Sequence, residues 1–335
     1  MQLSVTAPNR IDLAGGTTDL YPLYLLMEGG YTVNVAISLS SHVTFRGLGL
    51  PTISVVSEDL GKSVHASSPD DLPTGGPLGL IGRAVRVVPP QTGLEIVTRN
   101  DAPAGSGLGA SSALLVALLK GLLELRAEEE NPTNLIDLAV NIETTAIGVP
   151  AGKQDHIAAV YGGISLINFG YRDFVRRTVC AEDAAVERLE EMMILSYTGE
   201  GRFSGMNNWE ITKGFIDNIS VIRDNLEQIR DVAHLVGQKV LAGEWAELAP
   251  LVAQEWRLRR NLAPGVSTPR IESIMAAASA AGALASKICG AGGGGCMITL
   301  AASARRHAVE RALIDAGGEV IPFKVDRAGV VSVHA

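Results

Sequence analysis

Apolar and polar residues alternate over Gln2–Ala7, Tyr31–Leu39, His42–Arg46, Thr52–Ser57 and Leu94–Thr98. A period of two with many β-branched residues predicts strands. The period lengthens to helical spacing over Ala110–Ala127 and Leu135–Ile147, with Pro132 and Thr133 at the second start. Gly162-Gly163 punctuates a return to strand character at Ile164–Phe169. Tyr171-Arg-Asp-Phe-Val-Arg-Arg177 reads as a surface strand or turn, and Glu190–Tyr197 as the next strand. From Asn207 to Trp256 the pattern is almost wholly helical, with Ile219, Ile222, Leu226 and Ile229 on one face. Leu284–Cys289 and Met297–Leu300 predict strands around a glycine cluster. A helix over Ser303–Ala316 and strands over Glu319–Val325 and Val330–Val333 follow. Strands and helices mixed without strict βαβ alternation imply an α+β, two-layer build. A boundary placed near 170–190 divides the chain into domains 1–175 and 176–335.

Composition removes several classes of function. With 335 residues, 47% hydrophobic and 19% charged, the chain reads as a globular protein with a substantial core. A net charge of −8 argues against nucleic-acid partners, while local arginines can still take an anionic substrate. Cys180, Cys289 and Cys296 show neither metal spacing nor a disulfide framework. The six histidines form no ligand pair, so no transition-metal site is expected. Met1–Pro8 lacks the basic and apolar regions of a secretory signal, and no uncharged apolar run reaches the roughly 18 residues of a membrane span. The expectation is a cytoplasmic protein with no membrane partner. Trp209, Trp245 and Trp256 are expected to pack between helices.

Candidate chemistry lies in three glycine-rich stretches. Pro103-Ala-Gly-Ser-Gly-Leu-Gly-Ala-Ser-Ser-Ala113 feeds directly into an apolar helix. Glycines bring backbone N–H groups close to a ligand, and the first turn of a helix offers unpaired N–H groups and a favourable dipole to anions. The loop is thus a phosphate cradle. Gly105-Ser-Gly107-Leu-Gly-Ala110 matches a dinucleotide fingerprint in letters only. No strand runs into Gly105, and the ribose-binding acid is missing from its place. A Walker A loop is also absent, since Gly152-Lys153 is followed by Gln154. Gly290-Ala-Gly-Gly-Gly-Gly295 carries five glycines in six positions, more than a hairpin turn needs. Ala7-Pro-Asn-Arg10-Ile-Asp12-Leu-Ala-Gly15-Gly16-Thr17-Thr18-Asp19 places a cation, small-residue turns and an acid on one short stretch. Arg10 can contact a transferring phosphoryl group, and Asp19 can accept bonds from sugar hydroxyls.

In order and position, Pro8–Asp19, Pro103–Ala113 and Lys287–Gly295 resemble the three motifs of the GHMP kinase superfamily. Galactokinase carries a Glu-His pair where Gly16-Thr17 stand. The stretch is closer to the form in bacterial D-glycero-D-manno-heptose 7-phosphate kinases. Gly152-Lys-Gln154-Asp155, Tyr161-Gly-Gly163 and Tyr197-Thr-Gly199 with Arg202 and Ser204 resemble that branch as well. His156 stands where a Gln is more usual, and Asn207-Asn208-Trp209 matches no pattern of the family. The resemblance implies a ribosomal-protein-S5-like N-terminal domain and a ferredoxin-like C-terminal domain, with the active site in the cleft between them. It implies ATP bound by Pro103, Gly105, Ser106, Gly107, Leu108, Gly109, Ala110, Ser111 and Ser112. Mg²⁺ would be held by Ser111 and Glu143, with Ser112 the second choice of serine. Asp155 would accept the substrate proton, with Arg10 on the transferred group. Lys153 could pair with Asp155 or neutralise phosphate. Gly15, Gly16, Thr17, Asp19, Gln154, Arg202, Gly292 and Gly293 would bind the sugar or sugar phosphate, with Arg202 on a phosphate already present. The preferred substrate is a heptose 7-phosphate, phosphorylated on its anomeric hydroxyl. Alternatives are a fucose- or uronate-type anomeric kinase, or a sensor that binds ATP and sugar without turnover. A homodimer is possible.

Overall fold

A computed structural model describes residues 2–180, 182–201 and 205–334. Its spine is a pair of long antiparallel strands, β1 (Gln2–Ala14) and β2 (Gly30–Gly47), separated by the short helix α1 (Leu23–Leu26). The alternation predicts a strand that ends at Ala7. The strand instead continues through Pro8, and a register shift between Pro8 and Asn9 absorbs the missing donor. Likewise β2 runs unbroken through Ser38–Ser41, where the alternation predicts two strands, Tyr31–Leu39 and His42–Arg46. Those serines bond to neighbours: Ser40 N donates to Asp101 and Ser41 Oγ to Asn100.

After β2 come β3 (Ile53–Ser57), β4 (Lys62–Ala66), α2 (Gly79–Val87), β5 (Leu94–Asn100), α3 (Ala110–Leu125), α4 (Pro132–Ile147), α5 (Gln154–Tyr161), β6 (Ile164–Gly170) and β7 (Asp173–Cys180). The second half holds α6 (Asp183–Met192), β8 (Met193–Tyr197), α7 (Gly205–Ile216), α8 (Ser220–Ala242), α9 (Leu248–Arg259), α10 (Pro269–Ala280), β9 (Ala283–Ile288), β10 (Cys296–Ala301), α11 (Arg306–Asp315), β11 (Glu319–Ile321) and β12 (Val331–His334). The periodicity did not reveal α2, α10 or β4. Glu190–Met192 closes a helix rather than opening a strand. The strand expected to reach Val325 stops at Ile321.

The first sheet runs β12-β1-β2-β5-β3-β4, with β6 and β7 continuing from the other half of β2. Every pairing in it is antiparallel except β3 with β5. The second sheet is antiparallel, β11-β8-β10-β9. The first sheet does not respect the expected division at 175/176. Strand β7 crosses it, Val325 bridges to Ile37, and β12 returns to pair Val331–His334 with Leu3–Thr6.

One face of the first sheet packs on α2–α5, burying Val5, Phe45, Ile96, Leu115 and Leu119. The opposite face, near Ile11, Val33 and Val35, packs on α8 and on the second sheet through Val232, Val236 and Ile298. A third core joins α1 to the C-terminal helices around Leu23, Phe215, Leu226 and Trp256. Trp245 and Trp256 do pack between helices, whereas Trp209 is half exposed on α7. Among the described residues no helix is long and apolar enough to cross a membrane.

Gly121 of α3 lies directly beneath the Phe45 ring, which a Cβ at that position would overlap. Alanine favours a helix over glycine by about 1 kcal/mol, but overpacking a filled core costs about 1–3 kcal/mol. Because the fully buried ring has little room to shift, overpacking wins. Gly121→Ala is expected to lower unfolding stability by about 1–2 kcal/mol in urea titration.

Candidate active site

The three glycine-rich stretches converge on one cleft of about 370 Å³. Its wall includes Arg10, Gly16, Thr17 and Asp19 from the first stretch, Gly105–Gly107 and Gly109–Ser112 from the second, and Gly290 and Ala291 from the third. Glu143, Gln154, Asp155 and Asn208 line it as well. Pro103, Leu108, Gly15, Gly292 and Gly293 are not in the wall. The Leu108 side chain is buried in the core, while its carbonyl accepts a bond from Arg10 N. Gly15 packs against the Tyr31 carbonyl, Gly292 packs against Val266, and Gly293 N donates to Val266 O. These residues shape the wall from behind. Arg202 and Ser204 lie outside the described residues.

Gly109 caps α3 with φ of +74°, and a Cβ on it would meet the Asp155 carboxylate. Gly107, at φ +72°, would meet the Cys289 carbonyl in the same way. Both positions need glycine for backbone conformation and for close approach. The loop is tied to the third stretch by Cys296 N donating to Ser106 O at 2.6 Å. The first turn of α3 then faces the cleft, its N–H groups available to an anion.

Arg10 sits at the centre. Its Nε donates to Asp155 Oδ1 at 2.7 Å, and its Nη1 to Gly107 O at 2.5 Å. Asp155 stands in the first turn of α5, whose N-cap is Lys153, so it does not serve as a cap. Lys153 turns away from it and pairs with Asp137 and Asp173 at 2.7 Å each, which removes it from the phosphate site. Burial, aided by the charge of Glu143, raises the Asp155 carboxyl above its ordinary value against the pull of Arg10. Glu143 shifts the other way. Burial pushes it up, but contacts with His156, Ser111 and Ser112 outweigh that and hold it low. Ser111 Oγ donates to Glu143 Oε1 and Ser112 Oγ to Oε2, both at 2.7 Å.

Beneath the cleft lies a cluster that sequence reading did not single out: Asp12, Glu255, Arg259 and Lys287, all essentially inaccessible. Lys287 Nζ is 3.1 Å from Asp12 Oδ2 and 3.5 Å from Glu255 Oε1. Arg259 Nη2 contacts Glu255 Oε1 at 2.5 Å and donates to Gly16 O at 2.7 Å. Its Nη1 reaches Thr17 Oγ1 and Gly290 O. A signal was available. Glu255 and Arg259 occupy the stripe of α9 that also buries Leu248 and Val252, where charge is unexpected.

Asp19 is buried and accepts a bond from Gln154 N at 3.0 Å. Burial first, then the nearby charge of Asp155, pushes its carboxyl up to about 6 from 3.8. The folded protein therefore takes up a proton between those values, and stability falls as pH rises through that window. Asp19→Asn removes this cost. Relative to the parent protein, the variant should gain about 3 kcal/mol in unfolding free energy between about pH 3 and about pH 8. Denaturant titrations across that range check it; a constant offset between the two proteins would contradict it.

Residues 79–163 match the family model described as GHMP kinases N terminal domain, and residues 238–319 match GHMP kinases C terminal. The chain is 28% identical to the D-glycero-alpha-D-manno-heptose 7-phosphate kinase of Campylobacter jejuni, over 97% of both chains. It is 30% identical to a mevalonate kinase of Methanothermobacter thermautotrophicus, over 89% of this chain and 90% of that one. The bifunctional fucokinase/GDP-fucose pyrophosphorylase of Arabidopsis thaliana is 26% identical over 90% of this chain, which spans only 30% of that protein's length. Among solved structures, a D-glycero-D-manno-heptose 1-phosphate kinase from Bacteriodes thetaiotaomicron superposes with a TM-score of 0.81, at 26% identity and 99% coverage of each chain. The fold, the converging glycine loops and these matches agree: the chain belongs to the GHMP kinases, two-domain enzymes that phosphorylate an alcohol oxygen.

Proposed function

We propose that this protein is an ATP- and Mg²⁺-dependent kinase for a sugar or sugar phosphate, with the anomeric hydroxyl of a heptose 7-phosphate as the preferred acceptor. The observation that carries the reading is the convergence of Asp155, Arg10 and the α3 N-terminus on one face of the cleft, with Asp19 and Gln154 also lining it. The likeness to heptose phosphate kinases over nearly the whole chain supports the choice of sugar.

In this reading the phosphates of ATP rest on the N–H groups of Gly105–Ser112, where the helix dipole favours negative charge. Glu143 Oε1 and the exposed Ser111 hydroxyl form an all-oxygen donor set, with the carboxylate held ionised. Such a set suits a hard cation. No group of three metal-binding acid, histidine or cysteine side chains exists among the described residues. That fits an ion that keeps water and phosphate in its shell. When bound, Mg²⁺ neutralises charge on the phosphates. Asp155 orients the acceptor hydroxyl and takes its proton, and Arg10 fixes the Asp155 carboxylate while adding positive charge beside the transferred group. Asp19 and the buried Gln154 Oε1, which has no hydrogen-bond partner among the described residues, receive sugar hydroxyls. The protein works in the cytoplasm without nucleic-acid or membrane partners, with a homodimer as a compatible assembly.

A neutral sugar such as fucose is the second reading, and one observation favours it. Among the described residues lining the cleft the one cation is Arg10, already engaged by Asp155 and Gly107 O. A substrate phosphate would need Arg202. Asp155→Asn should lower kcat by about 10²–10⁴ while leaving nucleotide affinity intact, measured by ADP release and by nucleotide titration. ATP binding without ADP release across a broad sugar panel in the parent protein would remove the proposed substrate class. Arg202→Ala should raise KM for a phosphorylated sugar by about 10–100-fold with KM for ATP unchanged. An unmoved sugar-phosphate KM would favour the neutral sugar.

A further inference from the structure

The two oxygens of Glu143 are held differently. Among the described residues Oε1 accepts a bond from Ser111, an exposed residue on the cleft wall. Oε2 points inward, 2.7 Å from the buried Ser112 hydroxyl and 2.9 Å from Nε2 of His156, whose ring is completely inaccessible. Neither His156 nitrogen has an aligned hydrogen-bond partner among the described residues, so its polar engagement there is with Glu143. A carboxylate gripped at one oxygen cannot rotate freely about its terminal torsion, and that torsion is otherwise broad. The other oxygen is thereby aimed at a fixed point.

We infer that His156 and Ser112 are positioning residues that lock Glu143 Oε2, leaving the Oε1–Ser111 edge as the face that takes the divalent cation. This rests on the Mg²⁺ site proposed above. It separates the two adjacent serines by role: Ser111 toward the ion, Ser112 toward the carboxylate. It also places the brace on α5, one residue beyond Asp155. The helix that carries the proton acceptor thus also holds the carboxylate that faces the cation. A glutamine at 156 carries an amide N–H that could grip the same oxygen, whereas leucine fills the space and grips nothing.

The test uses the full chain with Mn²⁺ as the probe, titrated by the loss of the free-ion electron paramagnetic resonance signal in the presence of a β,γ-imido analogue of ATP. Loss of an outer-sphere partner weakens metal affinity by about 10–100-fold. His156→Leu and Ser112→Ala should each weaken Mn²⁺ by that amount, His156→Gln should restore most of it, and analogue affinity without metal should hold in all three. In turnover, the same variants should raise KM for Mg²⁺ more than they lower kcat at saturating metal. If Glu143→Gln weakens Mn²⁺ while His156→Leu and Ser112→Ala do not, the inference is overturned and the cation site stands. If Glu143→Gln leaves Mn²⁺ affinity unchanged, the cation site itself is wrong and the inference goes with it. Should His156→Leu fail to fold, Ser112→Ala and His156→Gln give the same decision, with unaltered Mn²⁺ affinity in Ser112→Ala counting against the inference.

Discussion

Two acids and two bases, sealed from water, hold the first and third loops of the site against each other. Asp12 and Lys287 join β1 to β9, while Glu255 and Arg259 bring in α9. Arg259 then spends its remaining donors on the carbonyls of Gly16 and Gly290. Buried ion pairs are poor sources of net stability, because desolvation offsets most of their attraction. Removing one member strands its partners at a cost of about 3–5 kcal/mol, which makes the set all-or-none. Its value here is geometric. Gly-rich loops have no side chains with which to register one another, so their relative position must be set from below.

Above that base, environment assigns three carboxylates different states. Glu143 is buried and Asp155 partly so, yet Asp155 is raised and Glu143 is lowered. The difference lies in donors: Glu143 has two hydroxyls and an imidazole, whereas Asp155 faces one guanidinium and the repulsion of Glu143. Divergence of this kind between neighbouring acids marks separate chemical tasks. In the roles proposed for them, the proton acceptor Asp155 is kept basic and the cation-facing Glu143 is kept charged. Asp19 is raised as well, to about 6, because burial and the charge of Asp155 outweigh its backbone bonds.

The parts of the site legible in the sequence were those whose chemistry is local. A run such as Gly105-Ser-Gly107-Leu-Gly109 announces tight backbone and unpaired N–H groups without reference to the rest of the chain. Glu143 and Asp155 were reachable only through the family's pattern, since a helical acid alone does not say what it faces. Arg259 was hidden because Asp12, Gly16 and Thr17, which it meets, lie more than two hundred residues away, on β1 and the loop after it. That the Leu108 side chain turns into the core was not legible, because a loop position shows in letters while the direction of its side chain does not. In the fold, α3 and α4 were clear from long apolar periods. The continuation of β1 past Pro8 was not, because a register shift supplies what the local rule forbids. The return of β12 to the first sheet was invisible for the same reason as the Arg259 contacts: pairing across the whole chain leaves no local trace.

That returning strand sets a schedule for the molecule as it is made. Among the described residues, the outer edge of β1 at Leu3–Thr6 is paired by Val331–His334. A nascent chain leaving the ribosome must therefore carry an open strand edge through synthesis of the entire second half, and bare edges are where chains join one another. Translation that halts before residue 331 yields a product with that seam unsewn, which exposes incomplete copies to the cell's quality control.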